Sequence, residues 1–363
     1  MIIIIQPYCF WEGHYLNYFK SFSSDKFYKI YCNTNNLNLK NSIYLKSLFN
    51  NYNRNIFFFI LSRIFNYLQI VLKLRFSKAI SKKYYNIYHF LEFEPLSILI
   101  FLLLNIFKRK KIIITLHSID PNYRQNIFHN FIIIIQRIIH KSTLILLNFV
   151  NATIVVHSQV HKLKIKKIFK KNVDVIEYPA EDNFINHKKK NIRKRKILFF
   201  GLIRKDKGIF DFINDINLKK YKLDIIGKVL FKNILKINKK NIKIKNVYLK
   251  ESKIKNVFLK YDFLLLPYKK NYPGSAGPLF LALSYGLPVI CSDLEIFRYF
   301  LRKYKVGYIF NQNKFEEQID KISNKQYKKF IYNGIKYCKD NNWNNLIFKY
   351  EKIYEKFSIN QYP

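Results

Sequence analysis

Cysteine is scarce in this chain of 363 residues. Its four cysteines, Cys9, Cys32, Cys291 and Cys338, lie far apart and show neither paired nor metal-like spacing. This pattern argues against a disulfide-rich secreted domain and is typical of reduced thiols in a cytosolic protein. The sequence also has no Asp-x-Asp signature or other metal motif, so we expect no metal site.

A signal peptide and a long apolar run are also lacking. The first seven residues contain four isoleucines but no basic lead, which predicts a first β-strand rather than a targeting segment. The longest nearly unbroken apolar run, Leu96–Phe107, is too short to span a bilayer. We therefore expect no transmembrane anchor.

Acidic residues are few. The chain has 65 Lys and Arg against 23 Asp and Glu, which gives a formal net charge of +42. AT-rich codons explain much of the lysine but less of the glutamate shortage, since glutamate codons are also AT-rich. The excess charge favours an anionic partner, namely a nucleotide sugar, a phospholipid surface or nucleic acid. The apolar content of 49% argues against disorder, and the length predicts two or three domains.

A phosphate-binding loop is predicted after the buried strand at 263–266. The loop contains Gly274, Ser275 and Gly277, and Pro278 follows where a helix begins. Glycines let a diphosphate approach the backbone, and the first-turn amides of a helix point at such a ligand. Proline fits the first helical position because its missing N–H is not needed there. The same spacing also fits an ordinary strand-to-helix connection.

A basic loop that comes earlier in the chain, called the first loop below, follows the predicted strand at 196–200; the loop at 274–278 is the second loop. The first loop holds Arg204 and Lys207 between Gly201 and Gly208, and a helical pattern comes next. Arginine grips a phosphate with two parallel N–H bonds, and lysine places a point charge beside it. In a lysine-rich chain, one basic loop does not by itself indicate a phosphate site. The flanking glycines and the preceding strand support one here.

Four sequence blocks, which include these loops, resemble the carboxyl-terminal half of a family 4 glycosyltransferase of the glycosyltransferase-B fold. The resemblance is to bacterial members that build capsule, lipopolysaccharide or exopolysaccharide, and it covers about residues 194–310. The blocks occur in the family's order, at 199–208, 223–227, 261–268 and 274–289.

The resemblance implies an α/β fold with two Rossmann-like domains facing across a cleft and a last helix that crosses back onto the amino-terminal domain. It implies a nucleotide diphosphate sugar as donor substrate, with no other cofactor, and retention of anomeric configuration. Arg204, Lys207 and the second loop would contact the diphosphate, the loop residues being Gly274, Ser275, Ala276, Gly277 and Pro278. The acceptor would be a glycan or a lipid-linked oligosaccharide.

The chain departs from the family at the ribose contact. Many members carry two glutamates flanking the second loop, and the later one holds the nucleotide ribose. Pro273 and Leu281 occupy those positions here. Glu295 is a candidate substitute, although a surface role also fits it.

Three parts are predicted along the chain. An acceptor-binding domain spans residues 1–186, a nucleotide-sugar-binding domain spans 195–340, and a terminal helix at 341–363 packs back on the first domain. The charged stretch His187–Lys196 marks the boundary and is interpreted as a solvated hinge rather than a nucleic-acid patch.

Two candidate catalytic residues follow the buried strand Ile112–Leu116. Polar groups at the carboxyl end of a parallel strand are placed to meet a ligand. We predict that His117 hydrogen-bonds the donor sugar and that Asp120 takes a proton from the acceptor hydroxyl. The Thr-Leu-His-Ser segment resembles the Thr-x-His-Asn of related transferases, whose histidine lies at the interdomain cleft. Alternatively, His117 orders the turn and Asp120 caps the next helix.

Residues 55–80 are apolar with four basic residues interspersed. A helix of this kind lies in a membrane interface, but amphipathic core helices look similar. Together with the resemblance, this predicts a cytoplasmic enzyme associated peripherally with the anionic inner face of the membrane. Two other functions fit the sequence less well: a non-catalytic glycan-binding scaffold on the same fold, and a nucleic-acid-binding protein, for which no recognition motif is present.

Overall fold

The computed structural model of the chain divides into two compact units. The first comprises Met1–Pro121, Asn130–Glu177 and Trp343–Pro363, and the second is built mainly from Tyr178–Asn342. The predicted boundary at 187–196 falls almost entirely outside the described residues and stays a prediction. The structure describes residues 2–7, 14–22, 24, 26–33, 40–46, 56–76, 87–103, 111–119, 127–181, 195–230, 234, 237–270, 272 and 274–359.

The first unit is built on a parallel sheet whose described strands have the order β3-β2-β1-β4-β5-β6-β7. These strands are β1 (Ile2–Gln6), β2 (Phe27–Asn33), β3 (Ser42–Lys46), β4 (Ile87–Phe90), β5 (Lys111–Leu116), β6 (Ala152–Val156) and β7 (Asn172–Val175). The helices are α1 (His14–Ser21), α2 (Ile56–Phe76), α3 (Pro95–Leu103), α4 (Ile127–Leu146), α5 (Gln159–Lys166) and, from the end of the chain, α12 (Trp343–Ile359).

The isoleucine run of β1 explains why this sheet is covered on both faces. Ile3 and Ile5 belong to a core cluster formed with α2, α3, α4 and α5. Ile4 points the other way, into a cluster formed with α1 and α12. Successive side chains of a strand face opposite sides, so a continuous apolar run needs helices on both faces.

The second unit has a parallel sheet with the order β10-β9-β8-β11-β12-β13 among its described strands. These strands are β8 (Lys196–Phe200), β9 (Lys222–Gly227), β10 (Ile242–Asn246), β11 (Phe263–Leu266), β12 (Val289–Cys291) and β13 (Gly307–Ile309). The helices are α6 (Ile209–Asp215), α7 (Glu251–Phe258), α8 (Gly277–Ser284), α9 (Glu295–Tyr304), α10 (Phe315–Asp320) and α11 (Asn324–Asp340).

Two parallel α/β sheets confirm the predicted fold class. The sequence analysis did not identify β3, an edge strand whose side chains are partly exposed. Residues 55–80 contain α2, which buries Tyr67, Ile70 and Leu74 in the core. Its interfacial role stays a prediction. Among the described helices, none is both long enough and apolar enough to cross a membrane.

A buried polar network fastens α12 to the first sheet. His89 contacts the Tyr354 hydroxyl through Nδ1 at 2.7 Å and the Thr115 hydroxyl through Nε2 at 2.9 Å. Thr115 in turn contacts the Tyr350 hydroxyl at 2.7 Å. Burial lowers the pKa of His89 to about 3, so the ring is neutral and has one donor and one acceptor nitrogen. The network confirms that the last helix packs on the first unit.

We expect Tyr350→Phe to lower the free energy of unfolding by about 1 kcal/mol, because Thr115 loses a buried hydrogen bond. Tyr44→Phe is the matched control, since Tyr44 is exposed on β3 of the same unit. Urea unfolding followed by circular dichroism measures both variants. Equal losses in the two would show that the buried network contributes nothing measurable.

Candidate functional site

The first predicted loop leaves the carboxyl end of β8 and packs on the end of β11. Gly201 has a φ of +108°, and Gly208 has a left-handed φ of +63° directly before α6. A Cβ at Gly208 would lie 2.0 Å from the Pro267 carbonyl oxygen, so only glycine permits this approach. The loop is thereby held against the neighbouring strand.

The two loops predicted from separate stretches meet at Gly201. A Cβ placed on Gly201 would lie 3.4 Å from the Lys207 Nζ and 3.5 Å from the Pro278 Cγ. Pro278 stands in the first turn of α8. The Lys207 ammonium and the positive end of α8 therefore lie side by side, at the switch point of the sheet where α/β folds bind ligands.

Lys207 is a buried lysine beside the positive charge of Arg204. Its side chain lies over the Tyr268 ring, with the Nζ 5.3 Å from the ring centre. Burial, reinforced by the nearby Arg204, lowers the pKa of Lys207 to about 7, while Asp206 opposes the shift. In the described part of the chain, no carboxylate forms an ion pair with it. The site therefore favours an anionic ligand.

Arg204 is oriented by an acidic neighbour. Asp206 accepts hydrogen bonds from its Nε at 2.9 Å and its second terminal nitrogen at 2.7 Å. This bidentate pair takes two of the five guanidinium donors and fixes the plane of the group. Asp206 was not singled out from the sequence, although its position two residues after Arg204 was a signal for such a pair.

The second loop offers fewer amides than its sequence suggests. The amide of Gly277 donates to the Ser275 carbonyl at 3.0 Å, and Pro278 has no N–H. The amides of Ser275 and Ala276 donate to no acceptor among the described residues. Ala276 begins α8 without a side-chain cap. These two amides are the donors best suited to a phosphate oxygen, since the helix end leaves them unused.

Of the two positions that match the missing glutamates, the structure describes only Leu281. Leu281 packs against the hydrophobic core of the second unit. Pro273 lies outside the described residues. Glu295 is exposed in the first turn of α9. Its proposed substitution for the ribose glutamate stays a prediction.

In the first unit, His117 lies in a hydrogen-bonded pair with His157. The His157 Nδ1 contacts the Ile176 carbonyl at 2.9 Å, so it donates, and its Nε2 accepts from the His117 Nδ1 at 2.9 Å. Burial lowers the pKa of His157 to about 4, so this ring is neutral. His157 therefore holds the orientation of the His117 ring.

The other ring nitrogen of His117 also faces acceptors. Its Nε2 lies 3.0 Å from the Leu91 carbonyl oxygen and 4.0 Å from a carboxylate oxygen of Glu92. In this arrangement both ring nitrogens of His117 face acceptors, and a neutral ring donates to only one of them because it carries a single N–H. Asp120 lies outside the described residues. The catalytic roles predicted for both residues stay predictions.

Among the described residues, no three His, Cys, Asp or Glu side chains are grouped closely enough to hold a metal ion.

Comparison with solved structures identifies the fold. Sucrose-phosphate synthase from Thermosynechococcus elongatus matches with a TM-score of 0.70 and 12% identity, over 99% of both chains. An alpha,alpha-trehalose-phosphate synthase (UDP-forming) from Burkholderia vietnamiensis matches with a TM-score of 0.67 and 8% identity, over 98% of both chains. A TarM mutant from S. aureus, in complex with UDP, matches with a TM-score of 0.57 and 16% identity, over 79% of this chain and 58% of that chain. At these identities the likeness shows the fold alone, which is the glycosyltransferase-B fold.

The sequence itself identifies the class of enzyme. Residues 181–337, which contain both loops, match the family described as "Glycosyl transferases group 1". A search of curated protein sequences found no match. The chain therefore carries a glycosyl transferases group 1 domain in its second unit, and the protein is a glycosyltransferase.

The lowered pKa of Lys207 predicts a pH-dependent stability. Its ordinary pKa is 10.5 and its folded pKa is about 7, so between these values the unfolded chain binds a proton that the folded protein does not. Stability from this residue therefore rises with pH across that window. From about pH 7.5 to about pH 9, we expect the wild type to gain roughly 1 kcal/mol per pH unit over Lys207→Met.

Chemical denaturation at several pH values measures this difference. Lys205→Met is the control, because Lys205 lies in the same loop but is exposed. A Lys207→Met difference that stays constant with pH would show that Lys207 remains fully protonated in the folded protein.

Proposed function

We propose that the protein transfers a sugar from a nucleotide diphosphate sugar to a hydroxyl of a glycan or lipid-linked acceptor during surface polysaccharide synthesis. The observation that carries the proposal is the meeting of Lys207, Gly201 and the start of α8 at one edge of the second sheet. The group 1 family match over the same residues supports it. The resemblance to family 4 enzymes supports a retaining outcome.

The chemistry that this site performs best is stabilisation of a leaving diphosphate. Negative charge develops on the diphosphate as its bond to the sugar breaks. Lys207 and the amides of Ser275 and Ala276 would interact more strongly with that charge than with the intact donor. Because Lys207 is buried, its attraction to the diphosphate is little screened by water. This local positive charge also supports a reaction without a metal ion.

Arg204 is proposed to orient the donor. The bidentate pair with Asp206 fixes the guanidinium before any ligand arrives, so donor binding would cost little ordering of this side chain. In the first unit, His117 is proposed to hydrogen-bond the donor sugar through Nε2, which would exchange the Leu91 carbonyl for the sugar while His157 holds the Nδ1 side of the ring. Asp120 is proposed as the base for the acceptor hydroxyl, on its sequence position alone.

We propose a cytoplasmic location with peripheral association at the anionic inner face of the membrane, and no nucleic-acid partner. A non-catalytic glycan-binding scaffold is the second candidate function. The apolar Leu281 at the position of the ribose glutamate favours it, because a leucine side chain cannot hydrogen-bond a ribose hydroxyl.

The decisive experiment screens UDP-, GDP-, dTDP- and CMP-sugars by thermal shift and by turnover. We expect one nucleotide diphosphate class to raise the melting temperature and to be slowly hydrolysed. CMP-sugars should not respond, since they carry a single phosphate. Lys207→Met should weaken donor binding about tenfold or more, through loss of a charge-assisted contact.

Lys205→Met is the matched control, and it should bind the donor within about twofold of the wild type. If no nucleotide sugar stabilises the folded protein, the scaffold function replaces the transferase proposal. If donors bind but Lys207→Met binds them equally well, the diphosphate lies elsewhere.

A further inference from the structure

One helical layer of the first unit has an apolar outer surface. This layer, called the outer layer below, consists of α2, α3, α4, the turn Leu147–Phe149 and α5, whose inward side chains form one core cluster with the sheet. On its outside, α4 exposes Ile134, Ile135, Ile138 and Ile145, and the turn exposes Phe149. Their exposed fractions run from 42% to 79%. So many large apolar side chains together mark an interaction surface rather than a solvated face.

The other helices of the outer layer extend this surface. Phe65 and Leu72 of α2, Leu103 of α3 and Leu163 of α5 are each at least 40% exposed. On the opposite face of the same sheet, α1 and α12 expose one large apolar residue, Phe348, among their described side chains. The apolar surface therefore belongs to one helical layer of the unit.

The same segments contain no acidic residue. Their sequences have three Lys or Arg in α2, two in α4 and three in α5, but no Asp or Glu in any of them. These segments hold 61 of the 363 residues. If the 23 acidic residues of the chain were spread evenly along it, about four of them would fall in these segments. On the opposite face, α1 also lacks acidic residues, but α12 carries Glu351 and Glu355 among its lysines. The acidic shortage is thus complete in the layer that exposes apolar groups.

Along α4, the exposed residues form a single row. Ile134, Ile138, Lys141 and Ile145 follow one another at spacings of four, three and four, so they share one side of the helix. Leu144 lies on the other side and is fully buried in the core. A helix with an apolar row on its solvent side and a lysine within that row fits an interface with both apolar and anionic groups.

We propose that the outer layer docks on an anionic phospholipid bilayer, with the isoleucines of α4 at the acyl boundary and the basic side chains among the headgroups. Lysine and arginine bury their stems along apolar surface while their charges reach the phosphates. A second copy of the chain fits less well, because a self-complementary contact would bring together the exposed Lys73, Lys141 and Lys164 of both copies. The inference deepens the membrane association proposed above and is independent of the donor site.

Vesicle co-sedimentation of the full chain, without nucleotide, tests the inference. We expect binding to mixed phosphatidylcholine–phosphatidylglycerol vesicles that weakens with salt, and far weaker binding to phosphatidylcholine alone. The triple variant Ile134→Ser, Ile138→Ser, Ile145→Ser should bind the mixed vesicles at least about tenfold more weakly, because it loses the apolar anchor. The control triple variant Leu230→Ser, Val247→Ser, Tyr248→Ser removes exposed apolar residues of the second unit and should bind like the wild type.

If the isoleucine variant folds poorly, a charge variant tests the same surface. Lys141→Glu should weaken binding to the mixed vesicles, whereas Lys352→Glu, on an exposed position of α12, should change it far less. Equal vesicle binding by the isoleucine variant and the wild type would overturn the proposal. So would wild-type dimerisation in solution that the isoleucine variant abolishes, since a second copy would then cover the surface. Neither outcome bears on the donor screen, which uses no lipid.

Discussion

The pairing of β8 with β11 is the constraint on which the donor site depends. Parallel pairing of these strands sends the loops that follow them out of the same edge of the sheet. On the other side of β8, the end of β9 also approaches closely, since a Cβ on Gly227 would lie 1.7 Å from the Gly201 carbonyl oxygen. Gly208 meets the Pro267 carbonyl in the same way. The glycines are required by this packing, and the packing brings Lys207 to the start of α8.

The two loops at this edge of the second sheet could be predicted because the sequence patterns that mark them are local. Each loop shows a strand, then glycines, then a helix start, and each signal lies within about fifteen residues. The charge state of Lys207 could not be predicted from nearby sequence, because the burial of Lys207 depends on Tyr268, which follows β11. A sequence rich in lysine gives no sign of which lysine is buried. The supply of free amides was also hidden, since the Gly277 amide turns back onto Ser275 within the loop.

The hydrogen-bond partners of His117 could not be predicted from the sequence. The buried strand before it was evident, and the histidine was placed correctly at the carboxyl end of β5. Its partners follow β4 and β6, the strands on either side of β5 in the sheet. Neither Glu92 nor His157 was identified from the sequence as a partner of His117. Pairing them with His117 requires the strand order, which single-sequence patterns do not specify.

The outer layer shows why apolar helices are hard to interpret from sequence. Both α2 and α4 are apolar on more than one side, so periodicity does not reveal which side faces the core. Position in the fold decides it, because a helix in an outer layer can bury only one side. Once the position of each helix is known, the distribution of acidic residues indicates which surface meets an anionic partner. The net charge of the whole chain could not indicate this. In the second unit acidic residues hold local structure, as Glu316 does by accepting the amides of Lys220 and Tyr221. Their absence from every segment of the outer layer leaves no carboxylate there to oppose an anionic surface.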